Sequence, residues 1–581
     1  MKLSDYVAKY LSKITKHVFI GQGGCIVHLL DSINNLNEIK IIPSQNEQAA
    51  SIAADAYSRI NNNYGVSIST SGPGMLNLMQ GIACSFFDSV PSMHFSGAVV
   101  TSQLRKNKNL RQLGFQEMEV VDLVSPITKY AVLLRDKNKI RYELEKMYYI
   151  SKSGRPGPVL MDLPDDLQRA EINPNELEPF QIKDEHKDLP KNLDNEIENI
   201  RRLLSSSSRP LVILGNGVKL SNTVGFAKDF IEKNNLPFVL TWAVADIFDY
   251  DHKLNAGTFG VAANRYGNFA VQNSDLLIVL GSRLNTQLTG SNTSSFASKA
   301  KKIVIDIDAA ELNKNNGVKI DFAINVDLRI FFQEINKQII NKNNFTKWLA
   351  QFKIWKKKYP ICDEKYFLET NGNNPYVFFQ TLSEMTGDQD ILIPDTSANL
   401  IWALQSYKLK GQEVFTAYNH SPMGYSMPAT IGAYFSSKNK RIICTIGDGS
   451  MQMNVQELQT ISHFKIPAKI FVINNGGLGL IKQTQDTWLN SRRVGVDSRS
   501  GLSLPDFKEV AKSYKIEAVE IKNHNELKEK IDYVLKSKNP ILCDVQISEQ
   551  QKAIPKLESG RPIHDLSPFL SREELEKNMN I

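Results

Sequence analysis

The chain has 581 residues, 42% of them hydrophobic, and a formal net charge of +7. A single core rarely grows beyond roughly 250 to 300 residues, so two or three domains are expected. The positive charge is spread along the chain. Its densest run, KIWKKKYP at 353–360, is more typical of a solvated helix face than of a nucleic-acid surface. Composition therefore argues against nucleic acid as a partner.

The chain has no sign of a membrane segment. No apolar run approaches the ~20 residues that a membrane helix needs, and MKLSDYVAKYLSKI at the start predicts an amphipathic helix without the features of a cleaved leader. The five cysteines are odd in number and scattered, which favours reduced core residues over a disulfide framework or a zinc site. They are Cys25, Cys84, Cys362, Cys444 and Cys543. We expect a cytoplasmic location.

Two polar, turn-rich stretches, 181–210 and 356–375, divide the chain into segments that each mix short apolar runs with helical patterns. This alternation predicts three α/β domains with mainly parallel sheets. We expect them at 1–180, 190–345 and 370–550, followed by a tail at 551–581.

In the first segment, IIPSQNEQAASIAADAYSRI (41–60) predicts a strand end followed by an Ala-rich helix with Glu47 in its first turn. By itself this glutamate is explained structurally. Ser44 and Glu47 have the spacing of a capping box, and an acidic residue is favourable near a helix N-terminus.

In the second segment, RPLVILGNGVKLS (209–221) predicts a strand followed by Gly215, Asn216 and Gly217. Because no third glycine completes a dinucleotide fingerprint, a nicotinamide site is weakly supported.

In the third segment, RIICTI, NVQELQTISHF and AKIFVI predict a strand, a helix and a second strand. Asp448 and Asn475 then end neighbouring parallel strands, where ligands bind. A carboxylate and a carboxamide supply two hard oxygens, which suits Mg²⁺. Each turn alone would be an ordinary loop, but the two together at this spacing favour the metal site.

The Gly-Asp-Gly at 447–449, with 24 residues (450–473) before Asn474 and Asn475, resembles the signature of thiamine-diphosphate enzymes. The resemblance implies that Asp448, Asn475 and the carbonyl oxygen of Gly477 hold Mg²⁺, which holds the cofactor's diphosphate, and that Ser450 donates to a phosphate oxygen. The other residues that it implies at the cofactor are Asn77, Ser397, Ala398, Asn399, Met423, Gly424, Gly447, Gly449 and Leu478.

The text NEQAASIAADAYSR also resembles this family, in which a glutamate at the position of Glu47 contacts the cofactor's pyrimidine ring and promotes loss of the thiazolium proton. The resemblance thus gives Glu47 a catalytic role. Gln116 is a second candidate catalytic residue, and Phe115 beside it in GFQE is expected to line the substrate pocket.

Segments along nearly the whole chain resemble the acetolactate synthase branch of the family, among them STSGPGMLNLMQGIACSFFDSVP (69–91), GRPGPVLMDLPDD (154–166) and GDGSMQMNVQEL (447–458). The resemblance implies a pyrimidine-binding domain, a central domain and a diphosphate-binding domain. It also implies a homodimer or homotetramer in which Glu47 of one subunit and Asp448 of another form each active site. Met423 would wedge beneath the cofactor, although without this context a core methionine is the simpler interpretation.

The same resemblance suggests FAD in a structural role, held partly by Arg155 and Arg283 together with Gly215 and Gly217. Asn285 and Gln287 stand where the synthases usually carry Asp and Arg, so the flavin question stays open. Ala398 and Asn399 likewise replace the usual Gln and His near the diphosphate.

Three further departures concern the acceptor. Thr484 replaces a tryptophan that crowds the pocket in the synthases, and a smaller residue leaves more space. Ala98 and Asp165 replace a usual Gln and Lys near the reacting end or the access channel. The tail SGRPIHDLSPFLSREELEKNM (559–579) resembles tails of synthase-like enzymes of sugar pathways, although it would also fit a surface extension wrapping a dimer.

The sequence thus predicts a carboligase that decarboxylates a 2-keto acid, pyruvate above all, and transfers two carbons to a carbonyl acceptor such as a keto-sugar nucleotide. Acetolactate synthase is the close alternative. A flavin-dependent pyruvate oxidase and an inactive scaffold are two others, and the retained Glu47, Asp448, Asn475 and Gly477 argue against the scaffold.

Overall fold

The computed structural model describes residues 1–61, 63–107, 109–182, 192–337, 340 and 344–581. Residues 183–191 of the first polar boundary therefore lie outside the described residues. Three parallel six-stranded sheets follow one another along the chain. Their strands are almost continuous apolar runs, because helices cover both faces of such sheets. The predicted architecture of three α/β domains is confirmed.

The N-terminal domain has the strand order β2-β1-β3-β4-β6-β5. Its strands are β1 (His17–Gly21), β2 (Lys40–Pro43), β3 (Gly65–Ser69), β4 (Ser92–Ala98), β5 (Tyr130–Leu133) and β6 (Pro158–Pro164). Its helices are α1 (Leu3–Leu11), α2 (Val27–Leu36), α3 (Glu47–Arg59), α4 (Pro73–Asp88), α5 (Val120–Val124), α6 (Ile140–Lys152) and α7 (Asp165–Gln168). Helix α1 is the amphipathic helix predicted at the start of the chain.

The central domain has the order β12-β11-β10-β7-β8-β9. Its strands are β7 (Pro210–Leu214), β8 (Phe238–Leu240), β9 (Asn255–Thr258), β10 (Leu276–Leu280), β11 (Lys301–Asp306) and β12 (Phe322–Asn325). Its helices are α8 (Leu193–Ser206), α9 (Gly217–Leu220), α10 (Val224–Lys233), α11 (Arg265–Asn273), α12 (Thr286–Thr289), α13 (Ala309–Asn313), α14 (Leu328–Ile335) and α15 (Thr346–Lys358). The lysine-rich run 353–360 lies largely on α15, whose buried face packs Trp355 into the core of this domain.

The C-terminal domain has the order β14-β13-β15-β16-β18-β17. Its strands are β13 (Asp390–Pro394), β14 (Glu413–Val414), β15 (Arg441–Gly447), β16 (Lys469–Asn474), β17 (Glu517–Ile521) and β18 (Ile541–Gln546). Its helices are α16 (Pro375–Glu384), α17 (Ser397–Ser406), α18 (Ser426–Ser436), α19 (Asp448–Met451), α20 (Glu457–His463), α21 (Gly479–Trp488), α22 (Phe507–Ser513) and α23 (Leu527–Lys536). Two short antiparallel strands, β19 (Lys556–Leu557) and β20 (Leu566–Ser567), and helix α24 (Arg572–Met579) complete the tail.

The N-terminal and C-terminal domains pack through α3 and α18. A side chain at Gly432 would meet the Ala53 carbonyl oxygen at 2.1 Å, so glycine permits the close approach of the two helices. Beside this contact the Tyr425 hydroxyl donates to Asp55 at 2.6 Å, and Arg59 lies 2.8 Å from the same carboxylate. A buried, paired network therefore fixes the two domains against each other.

The tail packs on the central domain of its own chain. Asn268 donates to the carbonyl oxygen of Ile563 at 2.6 Å, and the Trp355 indole donates to Asn578 at 2.9 Å. Ile563 and Leu575 join the central core. The tail therefore packs within its own chain, and the extension wrapping a dimer that the sequence suggested stays a prediction.

All five cysteines are free thiols. None of the described helices is long and apolar enough to cross a membrane.

Candidate active site

The predicted metal residues meet where β15 and β16 end. The two strands are parallel neighbours, with Gly447 opposite Ile473. Asp448 begins α19, and its Oδ2 accepts the backbone N–H groups of Asn475 at 3.1 Å and Gly477 at 2.9 Å. Its carboxylate is only 2% exposed, and burial raises its pKa to about 6. The structure thus brings Asp448, Asn475 and Gly477 together.

This oxygen cluster fits Mg²⁺. The Asn475 side chain is buried and makes no hydrogen bond to another described residue, so its carboxamide oxygen is free to accept a ligand. A carboxylate, an amide oxygen and a backbone carbonyl are hard ligands of the kind Mg²⁺ prefers. Within the described ranges no three acidic, histidine or cysteine side chains cluster so that they could hold a metal ion.

Lys482, which the sequence did not single out, stabilises the turn at 475–477 that carries two of the predicted metal ligands. We call it the metal turn. The Lys482 side chain is buried, and Nζ donates to the carbonyl oxygens of Asn475 at 3.2 Å and Gly476 at 3.1 Å. No local pattern in LGLIKQT distinguishes this lysine from a solvated one on the same helix.

Met423 and Leu478 flank the turn. A side chain at Gly449 would lie 2.6 Å from Leu478 and 3.5 Å from Met423, so this glycine leaves room for both. Gly424 has a φ of +83° and donates its N–H to Asp395 at 3.1 Å. Met423 is only half-buried, beside the metal turn, so the simple core-methionine interpretation does not describe it. Its role as a wedge stays a prediction.

At the start of α17, Asn399 has its amide nitrogen bonded and its Oδ1 without a partner among the described residues, so its contact with the cofactor stays a prediction. Asn399 is buried, and its Nδ2 donates to the carbonyl oxygens of Asp395 at 3.3 Å and Thr445 at 2.9 Å, which ties β13 to β15. Ala398 is also buried. Ser397, half-buried with a φ of +67°, is the member of this trio that faces open space.

Glu47 is the first residue of α3. Its Oε2 accepts from Asn77 at 2.9 Å, and a side chain at Gly21 would meet its Cγ at 2.1 Å. Asn46, not Ser44, caps the helix, since the Asn46 side chain accepts the N–H of Gln48 while the Ser44 hydroxyl has no partner among the described residues. The capping box does not form, so capping does not account for Glu47.

The predicted pocket residues are exposed. Phe115 is 84% exposed, and Gln116, with a φ of +65°, packs its carbonyl near Gly72. Thr484 is exposed on α21 and donates to the Leu480 carbonyl oxygen at 2.9 Å. The other two departures have these surroundings. Ala98 is buried at the end of β4, and Asp165 forms an ion pair with Arg169 at 3.3 Å.

Glu457 links the C-terminal domain to the residues before Glu47 in the same chain. This buried carboxylate on α20 accepts the N–H groups of Gln45 at 3.0 Å and Asn46 at 3.2 Å, directly before Glu47. Thr460 donates to its other oxygen at 2.7 Å. Burial raises the pKa of Glu457 to about 7 even though these donors oppose the shift.

The raised pKa of Glu457 predicts a pH-dependent stability. An acid with a higher pKa in the folded state stabilises the fold fully below its unfolded pKa, and that contribution is lost as pH rises through the folded value. Replacing Glu457 by Gln keeps an acceptor for both N–H groups and removes the titration. Between about pH 5 and pH 8 we expect the variant to gain up to roughly 3 kcal/mol of unfolding free energy over the wild type.

Urea denaturation across that pH range measures this difference. Glu529→Gln, an exposed glutamate on α23, should follow the wild type at every pH. A constant offset between Glu457→Gln and the wild type would contradict the titration.

Arg155 and Arg283, implied for FAD, lie in an ion-pair cluster. Arg155 contacts both Asp308 and Glu311 at 3.0 Å, and Arg283 lies 3.6 Å from Glu311. Both arginines line a cleft of about 160 Å³ between the N-terminal and central domains.

Gly215 and Gly217 are explained by packing. Side chains there would meet the Gly281 backbone at 2.3 Å and 2.7 Å, so these glycines let the ends of β7 and β10 approach. Their presence alone does not indicate a nucleotide.

Comparison with known proteins shows the family to which the chain belongs. Residues 1–123 match the thiamine pyrophosphate enzyme N-terminal TPP binding domain, 197–335 match the central domain of these enzymes, and 395–545 match their C-terminal TPP binding domain.

The relatives include the acetolactate synthase large subunit of Porphyra purpurea, 31% identical over 94% of this chain and 91% of the relative. That of Lactococcus lactis subsp. lactis (strain IL1403) is 31% identical over 96% of this chain and 94% of its own. Acetolactate synthase 2, chloroplastic, of Nicotiana tabacum is 30% identical over 94% and 82%. The resemblance described from the sequence is confirmed: the chain belongs to the thiamine pyrophosphate enzyme family and is a thiamine-diphosphate-dependent enzyme of the acetolactate synthase type.

Proposed function

We propose that the protein decarboxylates pyruvate and transfers the remaining two-carbon unit to a carbonyl acceptor larger than pyruvate, with a nucleotide-linked keto-sugar as the candidate acceptor. The observation that carries the carboligase assignment is the buried cluster of Asp448, Asn475 and Gly477, together with the separate carboxylate of Glu47. The reaction is redox-neutral. Pyruvate loses its carboxyl group as CO₂, one carbon–carbon bond forms, and the acceptor's carbonyl oxygen gains a proton.

Two groups of residues, called half-sites here, would share this reaction. One is Asp448, Asn475 and Gly477 in the C-terminal domain, and the other is Glu47 in the N-terminal domain. Thiamine diphosphate, when bound, supplies the carbon that stabilises the carbanion. Asp448, Asn475 and Gly477 would hold Mg²⁺ and through it the diphosphate, while Glu47 would exchange a proton with the pyrimidine ring. Asn77 orients the Glu47 carboxylate by its hydrogen bond, and the close contact with Gly21 fixes the side chain from the other side.

We propose FAD only as a structural ligand of the cleft at Arg155 and Arg283. The cleft has two guanidinium groups, which would bind a diphosphate by exchanging their ion pairs with Asp308 and Glu311, and the carboxylates of Asp306 and Asp327 could accept ribose hydroxyl groups. No step of carboligation transfers electrons to a flavin.

The larger acceptor is supported by Thr484, which is small and exposed on the helix that follows the metal turn. Acetolactate synthesis is the second candidate, and the similarity to acetolactate synthase large subunits favours it.

We further propose that the active protein is a homodimer, or a tetramer built from such dimers. Large apolar side chains are exposed near both half-sites: Phe115 in the N-terminal domain, and Trp488 at 70% and Val494 at 69% in the C-terminal domain. A second copy that covered these side chains would remove their apolar surface from water. A second copy would also bring Glu47 of one chain to Asp448 of the other.

The product assay distinguishes these functions. Purified protein with thiamine diphosphate, Mg²⁺ and pyruvate should release CO₂ slowly until a nucleotide-linked keto-sugar is added, after which the product should contain two more carbons than the acceptor. Acetolactate formation from pyruvate alone at about 1 to 10³ per second would establish the synthase instead. Anaerobic bleaching of a bound flavin by pyruvate would indicate an oxidase, and failure to bind the cofactor would indicate a scaffold.

A further inference from the structure

Asp395 is a buried carboxylate at the same edge of the C-terminal sheet as Asp448. It follows β13, and its N–H donates to the carbonyl oxygen of Thr445 on β15 at 2.8 Å. Its side chain is 0% exposed, and no cation among the described residues pairs with it. Burying a carboxylate without a counter-ion is costly unless hydrogen bonds replace the lost water. The groups that bind Asp395 therefore indicate its role.

The partners of Asp395 lie directly after Met423. Its Oδ1 accepts the N–H of Gly424 at 3.1 Å, and its Oδ2 accepts the N–H and the hydroxyl of Ser426 at 2.9 Å and 3.0 Å. Ser426 begins α18, so helix capping explains that contact, but Gly424 lies before the helix. Only a carboxylate side chain offers two acceptor oxygens and no donor. Asp395 thus holds both N–H groups at once.

The other side of Gly424 is held as well. Asn454 is buried, and its Nδ2 donates to the Gly424 carbonyl oxygen at 3.0 Å. Upstream, the hydroxyl groups of Thr396 and Ser421 lie 2.5 Å apart. Met423 therefore lies between two anchored residues, Ser421 and Gly424.

The anchored stretch 421–426, which we call the Met423 segment, determines where the methionine side chain lies. A methionine is unbranched and flexible, so its backbone has to be fixed for its side chain to keep one position. The Cε of Met423 lies 3.5 Å from the position that a Cβ at Gly449 would take, directly beside Asp448. A backbone shift at Met423 would therefore move this side chain relative to the predicted metal ligand.

We propose that Asp395 is a positioning residue that acts through Met423. By holding Gly424 and Ser426, its carboxylate fixes the backbone of the Met423 segment, and with it the position of the Met423 side chain in the cofactor site. The inference rests on the proposed function, because that site serves the carboligation. A misplacement of about 1 Å costs about 10²-fold in rate. Loss of Asp395 should therefore lower kcat while the metal ligands keep the cofactor bound.

The first test needs no cofactor. In Asp395→Asn one oxygen becomes an NH₂ group, which cannot accept the N–H that it faces. Hydrogen exchange of the protein alone, followed by mass spectrometry, should become about ten- to hundredfold faster in the Met423 segment, the effect of losing a hydrogen bond to a charged group. Asp390→Asn, at the other end of β13, should leave that segment as in the wild type. Unchanged exchange in Asp395→Asn would overturn the proposal.

The second test shows whether Asp395 acts through Met423. In the product assay, Asp395→Asn should have a kcat about ten- to hundredfold lower than the wild type, while calorimetry gives a Kd for thiamine diphosphate within a few-fold. In a Met423→Ala background the same substitution should cause no further loss of kcat, because the side chain that it displaces is gone. Asn454→Ala, which releases Gly424 from the other side, should behave in the same way.

Additive losses in the double variant would overturn the proposal, since Asp395 would then act independently of Met423. If Asp395→Asn is too unstable to purify, Asn454→Ala is carried through the same cycle with Met423→Ala, and additive losses there count against the proposal equally. If the wild type releases no CO₂, the carboligase proposal fails, while hydrogen exchange of the Met423 segment still decides whether Asp395 holds it.

Discussion

Replacing Glu47 by Gln should lower kcat by about 10² to 10⁴-fold, the usual contribution of a positioned acid or base. The substitution keeps an oxygen that can accept the Asn77 amide, so the local hydrogen bond survives while the exchangeable carboxyl proton does not. Because Asn46 and not Glu47 caps α3, we expect the thermal midpoint to change little.

Two measurements separate this catalytic effect from a loss of cofactor. Thiamine diphosphate titrated with Mg²⁺ into Glu47→Gln should bind within a few-fold of the wild-type Kd, while steady-state CO₂ release falls. Glu38→Gln, an exposed glutamate just before β2, provides the control. Near-wild-type kcat in Glu47→Gln would remove this residue from the chemistry.

The meeting of Asp448 and Asn475 was predictable because it depends only on the order of the strands in the sheet. Consecutive parallel strands joined by a crossover helix are usually neighbours, so the residues that end them meet at one edge of the sheet. Asp448 and Asn475 needed only the right spacing and two recognisable strands, and β15 and β16 are paired as expected. The three-domain organisation was predictable for another reason: alternating apolar runs and helical patterns are local features of the sequence.

Features that depend on competition between neighbouring residues or on distant residues were not predictable. Ser44 and Glu47 have capping-box spacing, yet Asn46 lies closer to the helix start and takes the N–H group. The partners of Asn399 are another example: its amide nitrogen donates to the carbonyl oxygen of Thr445 on a neighbouring strand, while its Oδ1 has no partner among the described residues. The resemblance placed Gly215 and Gly217 at FAD, and only their contact with Gly281 reveals a packing role.

The environments of Lys482 and Lys556 were also not predictable from the sequence. Each is an ordinary lysine in the sequence, and its environment comes from burial beside the metal turn or from a cavity wall built by the central domain, the C-terminal domain and the tail. A single sequence carries no signal for either, because burial of a charge depends on which groups surround it in space.

Replacing Asp448 by Asn should abolish stable cofactor binding. The carboxylate is the one anionic ligand in the predicted metal site, and its loss should cost at least about a hundredfold in Mg²⁺ affinity, since even partners behind a metal ligand are worth that much. Calorimetry with Mg²⁺ and thiamine diphosphate measures the loss directly. Asp390→Asn is the matched control, a buried carboxylate at the opposite edge of the same sheet, paired with Arg441.

Combining Asp448→Asn with Glu47→Gln tests how the half-sites are shared. If each active site takes Glu47 from one subunit and Asp448 from the other, a heterodimer of the two inactive variants contains one intact site and one with both defects. Differently tagged subunits, co-expressed and purified through both tags, should then recover about half of the wild-type activity per dimer. If both residues served the same site within one chain, neither site of the heterodimer would be intact and the activity would stay at the level of the single variants. Recovery of activity would therefore show that each active site takes Glu47 from one chain and Asp448 from the other.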